Sequence, residues 1–262
     1  MFSQALAEHI KKPLKKIKQK LKPQSFNTKK VVSIKNKTEH VLNGIGCNVI
    51  GLLEGTEPQL KNEVIILGGH LDHLGRCYEI IPGANDNASA VSVILGFAEA
   101  LSKCHIKPKR TVMFLCFGAE EQAVLGSRFY LENPKFPLEK TLCLINMDGV
   151  GCGDQLRALA GKNFPSLWGF IENANNNFIH RNIIPTHFAN LTRPRLDAAR
   201  FLWAGIPSIS FLAFGTTSYY HVTKDNINYI TPEILEDLAQ LVFLAVLDMA
   251  NQDSLDFREN RN

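Results

Sequence analysis

The chain has 262 residues, 45% of them hydrophobic and 21% charged, with 18 Gly and 12 Pro. These values match an ordinary globular protein and exclude collagen-like, low-complexity and wholly disordered chains. The net charge of +4 conceals a division. Residues 1–37 hold 11 Lys and one acidic residue, Glu8, for a net +10, while the other 225 residues hold 18 basic and 24 acidic side chains, for a net −6.

Residues 1–37 place Phe2, Leu6, Ile10, Leu14, Ile17 and Leu21 at helical spacing with lysines between them, which predicts an amphipathic helix kinked at Pro13. A helix docked on the body, a basic arm for nucleic acid or an anionic surface, and a remnant of a longer protein all fit the pattern; the docked helix fits most simply, so no nucleic-acid partner is expected. Residues 38–262 are expected to form a single domain.

Val31–Ile34 and Cys47–Gly55 read as two antiparallel strands. Glu63–His70 is a short apolar strand ending in Gly-Gly-His, and Ala90–Lys103 is an amphipathic helix. Arg110–Glu120 and Thr141–Gly149 are continuous apolar runs, the mark of central strands buried on both faces. Helices are expected over Pro165–Asn175 and Asp197–Ala204, a strand over Ile206–Phe214, and a closing helix over Pro232–Met249 with Thr231 as its cap. Strands alternating with helices predict an α/β fold with a mostly parallel central sheet covered by helices on both faces.

The six cysteines contain no CxxC pair, so free, mostly buried thiols are expected. The first twenty residues contain no apolar signal core. The longest uncharged run, Phe201–Tyr220, is broken by Gly205, Pro207 and Gly215, so no membrane span is expected.

Ligands of such sheets sit beyond the carboxyl ends of the strands, and the acids and histidines of this chain gather there. GGHLDHLG delivers His70 and Asp72, PGANDNAS delivers Asp86, FGAEE delivers Glu120 and Glu121, NMDGVG delivers Asp148, and FGTTSYYH delivers His221. Singly, each has an ordinary explanation, such as a helix cap for Asp86 or a solvated pair for Glu120–Glu121. Together, so many carboxylates would repel one another, and no Lys or Arg in these motifs balances them. A pair of divalent cations supplies the compensation, and His with carboxylate but no Cys suits catalytic zinc.

The ordered motifs GGHLDHLG, PGANDNASAVSVIL, FGAEEQAVLGS, NMDGVG, AGIP and YYH resemble those of bacterial aminopeptidases with two co-catalytic zinc ions, of the aminopeptidase S and aminopeptidase Y type. Glutaminyl cyclases and the transferrin-receptor ectodomain are relatives of that family. The resemblance runs from about Asn48 to Met249. It implies the zinc-exopeptidase α-β-α sandwich and two zinc ions per chain, one held by His70 and Asp148, the other by Glu121 and His221, with Asp86 bridging. It further implies that Asp72 orients His70, that Glu120 is the general base, that Tyr220 stabilises the oxyanion, and that the Asp86–Asn87 peptide is cis. Relatives often carry Ser-Asp-His where this chain has Leu196-Asp197-Ala198; Asp197 alone is kept, in the position expected to support His221.

The activity so implied is removal of amino-terminal residues from peptides with a free amino terminus. Phe188, Phe201 and the Cys152 loop are candidate walls for the side-chain pocket. A glutaminyl cyclase, a dipeptidase or carboxypeptidase on the same fold, and a non-catalytic binding module are the alternatives; retention of every ligand and of Glu120 favours the aminopeptidase. Relatives are often secreted or periplasmic, which is the compartment expected if the amino terminus has been trimmed.

Overall fold

The computed structural model describes residues 31, 33, 35, 41, 43–77, 79–188, 194–215 and 219–258. It divides into two units, residues 1–44 and 45–262. The amphipathic helix expected within residues 1–37 lies outside the described residues, as do Val32 and Ile34 of the expected Val31–Ile34 strand; Val31 and Ser33 themselves are not in a strand.

Among the described residues of the second unit, nine strands form. They are β1 (Val49–Leu53), β2 (Val64–His70), β3 (Gly75–Arg76), β4 (Ile80–Ile81), β5 (Thr111–Phe117), β6 (Thr141–Met147), β7 (Gln155–Leu159), β8 (Ile183–Thr186) and β9 (Ser208–Phe214). Five α-helices accompany them: α1 (Ser89–Lys103), α2 (Leu125–Glu132), α3 (Pro165–Ala174), α4 (Asp197–Trp203) and α5 (Pro232–Asn251). Seven strands build one sheet in the order β1-β5-β2-β6-β9-β7-β8, and β3 pairs with β4 in a small hairpin. The four central strands β5, β2, β6 and β9 are parallel. Their carboxyl ends therefore share one rim, with His70 in register with Phe117.

The continuous apolar runs are the buried centre. Every residue of β2 is buried, and its successive side chains feed opposite faces, as the two-residue period of a strand requires. Ile65 and Leu67 join the core made with α1, α3 and α5, while Val64 and Ile66 join the core made with α2 and α4. Helices thus cover both faces of a mostly parallel sheet.

The differences from the sequence reading are local. β1 pairs antiparallel with β5. α2 is an addition; it follows Ala123 and Val124, both in the left-handed region, a backbone choice that side-chain periodicity does not signal. β7 and β8 are short, and β7 is buried at alternate positions only, as befits a strand near the sheet edge. Thr231 occupies the cap position of α5, but its side chain makes no capping bond. All six cysteines are free, yet only Cys143 and Cys152 are buried; Cys47 and Cys77 are exposed.

The Gly-Gly ending of β2 has a packing reason. A Cβ at Gly69 would stand 3.0 Å from Ala90 Cβ and 3.0 Å from the Met147 carbonyl, so the missing side chain lets α1 and the end of β6 close on His70. Val is a far better strand former than Gly, yet Gly69→Val is expected to destabilise the fold by about 1–3 kcal/mol through overpacking. Urea unfolding checks this; a gain in stability would show that propensity, not packing, governs the position.

Candidate metal centre

His70 ends β2, and its Nε2 lies 3.1 Å from Asp86 Oδ1 and 3.6 Å from Asp148 Oδ1. The other oxygen of Asp86, Oδ2, lies 3.2 Å from His221 Nε2, which in turn is 3.1 Å from Glu121 Oε1. Asp86 therefore turns one oxygen to each of two groups. The first is His70, Asp86 and Asp148; the second is Asp86, Glu121, His221 and His73, each with donor atoms within 4.8 Å of one another. Ligands at about 2.1 Å from a tetrahedral ion stand roughly 3.4 Å apart, and the separations here bracket that value. Glu121 Oε1 is buried with no hydrogen-bond partner, although two histidine nitrogens stand within about 3 Å of it. The donor set, carboxylates and imidazoles, is one that holds divalent metals such as zinc.

Electrostatics mark the same cluster. Burial opposes the charge of His70, but Asp148 and Asp86 outweigh it and carry its pKa up to about 12. Burial likewise opposes the charge of Asp86, yet His70, His73 and His221 hold it below the ordinary carboxylate range. Glu120 is pushed up to about 8, first by burial and then by Asp148, Asp197 and Glu121. Tyr220 stacks on the His221 ring, with centroids 3.7 Å apart; burial and then Asp86, Glu121, Asp148 and Glu120 raise its phenol to about 12.

The backbone is arranged to deliver these groups. The Asp86–Asn87 peptide is cis. Asn85, Asn87 and Ser89 are buried, and their side chains serve the loop after β6: Asn85 Oδ1 accepts from Gly151 N–H at 2.7 Å, Asn87 Oδ1 from Gly149 N–H at 3.0 Å, and Ser89 Oγ from Val150 N–H at 3.1 Å. The polar letters of the PGANDNAS motif thus join the Asp86 loop to the Asp148 loop. Asp72 acts through two routes. Its carbonyl is 3.0 Å from His70 Nδ1, fixing the ring, while its carboxylate stands farther away at 3.7 Å. That carboxylate instead accepts from the N–H groups of Glu120 and Glu121, at 2.9 and 3.2 Å. Ala119, just before the pair, and His221 both hold positive φ, strained conformations of the kind that gather at functional sites.

Asp197 is placed differently from the expectation. It is buried, makes no hydrogen bond or ion pair with His221, and has one carboxylate oxygen unpartnered. Its charged neighbours are His70, Asp148 and Asp72, and burial pushes its pKa up to about 7. Two suggested pocket walls are also displaced. Phe201 is fully buried between Phe117 and Tyr130 in the core. Phe188 lines a separate cavity of about 210 Å³ with Asn163, Phe164, Leu202 and Trp203, none of them cluster residues. The Cys152 thiol is spent on the Tyr229 carbonyl, 2.9 Å away.

Two residues escaped the sequence reading. His73 was legible as the second histidine of HLDHLG. Asp225 gave no local signal, because its partners lie 140 residues away: its carboxylate accepts from the N–H groups of Asn85 and Asp86 at 2.7 and 3.1 Å.

A model of peptidase family M28 matches residues 48–246. The chain belongs to peptidase family M28. Aminopeptidase YwaD of Bacillus subtilis is 26% identical over 79% of this chain and 45% of its own length. Among solved structures, the aminopeptidase from Aneurinibacillus sp. strain AM-1 shares 26% identity with a TM-score of 0.66, covering 82% of this chain and 50% of that one. BSAP, a zinc aminopeptidase from Bacillus subtilis, superposes with a TM-score of 0.65 at 24% identity, over 81% of this chain and 52% of that one. The chain thus spans about half the length of the relatives it matches.

Asp225→Ala is expected to strand two backbone donors at a buried position, costing about 2–4 kcal/mol in urea unfolding. It should also weaken zinc binding by roughly 10–100-fold in titration of the metal-free protein, through displacement of Asp86; unchanged affinity would mean that Asp225 does not position Asp86. Asp197 yields a pH effect. With a folded-state pKa of about 7 against an ordinary 3.8, folding favours its protonated form. Its penalty is absent below pH 4, grows as pH rises, and reaches about 4 kcal/mol above pH 7. Asp197→Asn should therefore stabilise the metal-free protein more at pH 8 than at pH 4; an equal gain at both would refute the buried-charge account.

Proposed function

We propose that this chain is a zinc-dependent aminopeptidase that uses two zinc ions per chain to hydrolyse the first peptide bond of peptides with a free amino terminus. The observation that carries the reading is Asp86, whose two oxygens face two separate ligand groups. Support also comes from the family membership and from the similarity to YwaD and BSAP, both aminopeptidases, the latter a zinc enzyme.

His70, Asp86 and Asp148 would hold one ion, and Asp86, Glu121 and His221 the other. Bound zinc supplies Lewis acidity, brings the pKa of water toward neutrality and offsets the negative charge of the cluster. Glu120, whose backbone is pinned by Asp72, takes the proton of the attacking water and returns it to the departing amine. Tyr220, stacked on the His221 ring, donates its hydroxyl to the oxyanion that develops at the scissile carbonyl. The carboxylates of the cluster receive the cationic α-amino group, which excludes blocked substrates.

Glu120→Gln should keep the zinc content of the parent protein while kcat on aminoacyl anilides falls by roughly 10²–10⁴-fold. Metal analysis followed by anilide hydrolysis checks this, with N-acetylated anilides in parallel. Unchanged turnover would remove Glu120 as the base, and equal cleavage of the blocked substrates would sink the aminopeptidase assignment.

A further inference from the structure

His73 lies outside the ligand set that Asp86, Glu121 and His221 provide, yet it stands among them. Its side chain is 9% exposed. Its Nδ1 is 2.9 Å from Glu121 Oε1 and 3.9 Å from Asp86 Oδ2, and its ring meets that of His221 edge-on, with centroids 5.5 Å apart. At 2.9 Å a nitrogen and a carboxylate oxygen would ordinarily share a proton. Here they do not: neither His73 nitrogen has a hydrogen-bond partner, and neither does Glu121 Oε1. Buried polar atoms without partners are costly. Two that lie within hydrogen-bonding distance yet are misaligned for a bond between them converge on a third point. The missing side chain of Gly83 leaves room for the ring there, since a Cβ at that position would come within 2.6 Å of His73 Cγ.

We infer that His73 is a fourth protein ligand, through Nδ1, to the zinc ion held by Asp86, Glu121 and His221. The inference rests on the zinc reading above and makes the two sites unequal. Four protein ligands complete a tetrahedral shell, the arrangement of closed structural zinc, whereas three leave a position open. The open position belongs to the group of His70, Asp86 and Asp148. The Glu121 side is then the holding site, and the Asp148 side the reacting one.

Zinc titration of metal-free wild-type and His73→Ala protein, with a competing chelator, separates the two ideas. Wild type is expected to bind two equivalents, one of them more tightly; binding of none or one would refute the two-zinc reading itself. With two bound, His73→Ala should weaken the tighter equivalent by more than the roughly 10–100-fold lost when a residue merely hydrogen-bonded to a ligand is removed. Free imidazole should restore part of the loss. A folded variant with both affinities unchanged overturns the inference. Should the variant fail to fold, wild-type protein loaded with Co²⁺ decides the matter by paramagnetic proton NMR. Three shifted, exchangeable imidazole N–H signals are expected, from His70, His73 and His221; two signals overturn the assignment.

Discussion

The centre depends on one carboxylate, Asp86, kept ionised where burial opposes its charge. Three histidines face it, and each of its oxygens looks toward a different ligand group. A carboxylate with that duty cannot be free to rotate or withdraw. Its own N–H and that of Asn85 are both taken by Asp225, so the segment after His221 grips the backbone beside the acid that His221 faces. Two ends of the site, far apart in sequence, are thereby set against each other by two hydrogen bonds to one buried carboxylate.

The rim around Asp86 is built by the same economy. Loops at strand ends carry backbone donors that the sheet does not satisfy, and burying them without partners is costly. Here Asn85, Asn87 and Ser89 satisfy the loop after β6, Asp72 satisfies the Glu120–Glu121 turn, and Asn48 joins β1 to β5 and α2 by accepting from Gly118 N–H and donating to the Gly126 carbonyl. Each of these side chains ties down a neighbouring loop. The ligands therefore sit on a connected polar frame, and a change at one loop is felt at the next.

What could be read in the sequence follows from these two layers. The apolar runs of β2, β5 and β6 are buried on both faces, so their composition alone announced central strands, and the acids immediately past their ends announced the rim. β7 and β8 were missed because β7 buries only alternate residues and β8 buries none completely, and α2 because it begins from a left-handed turn. At the site, residues close to a strand end were legible. Asp225 was not, since its meaning lies wholly in a contact across 140 residues. Asp197 was read as a support for His221 because of its place before the AGIP segment, but α4 packs beside α2 and the charged neighbours of Asp197 are His70, Asp148 and Asp72. His73 was passed over because Asp72 and His70 already accounted for the HLDHLG motif as a pair.

The placement of Asp197 and Glu120 gives the site a direction. Both carboxyls are driven up by burial and by the acids around them, Asp197 to about 7 and Glu120 to about 8, and both count His70 and Asp148 among their neighbours. The Glu121 side has instead two histidines, His73 and His221, facing Glu121 and the shared carboxylate of Asp86. Carboxylates crowded without compensation gain most from positive charge placed among them, and the same charge lowers the pKa of a neighbouring acid. Cations at the rim therefore do more to ionise Glu120 the nearer they lie to Asp148. An acid that ionises more readily once positive charge is in place is coupled to a loaded site, and the asymmetry of the acids puts that coupling on the His70 side of Asp86.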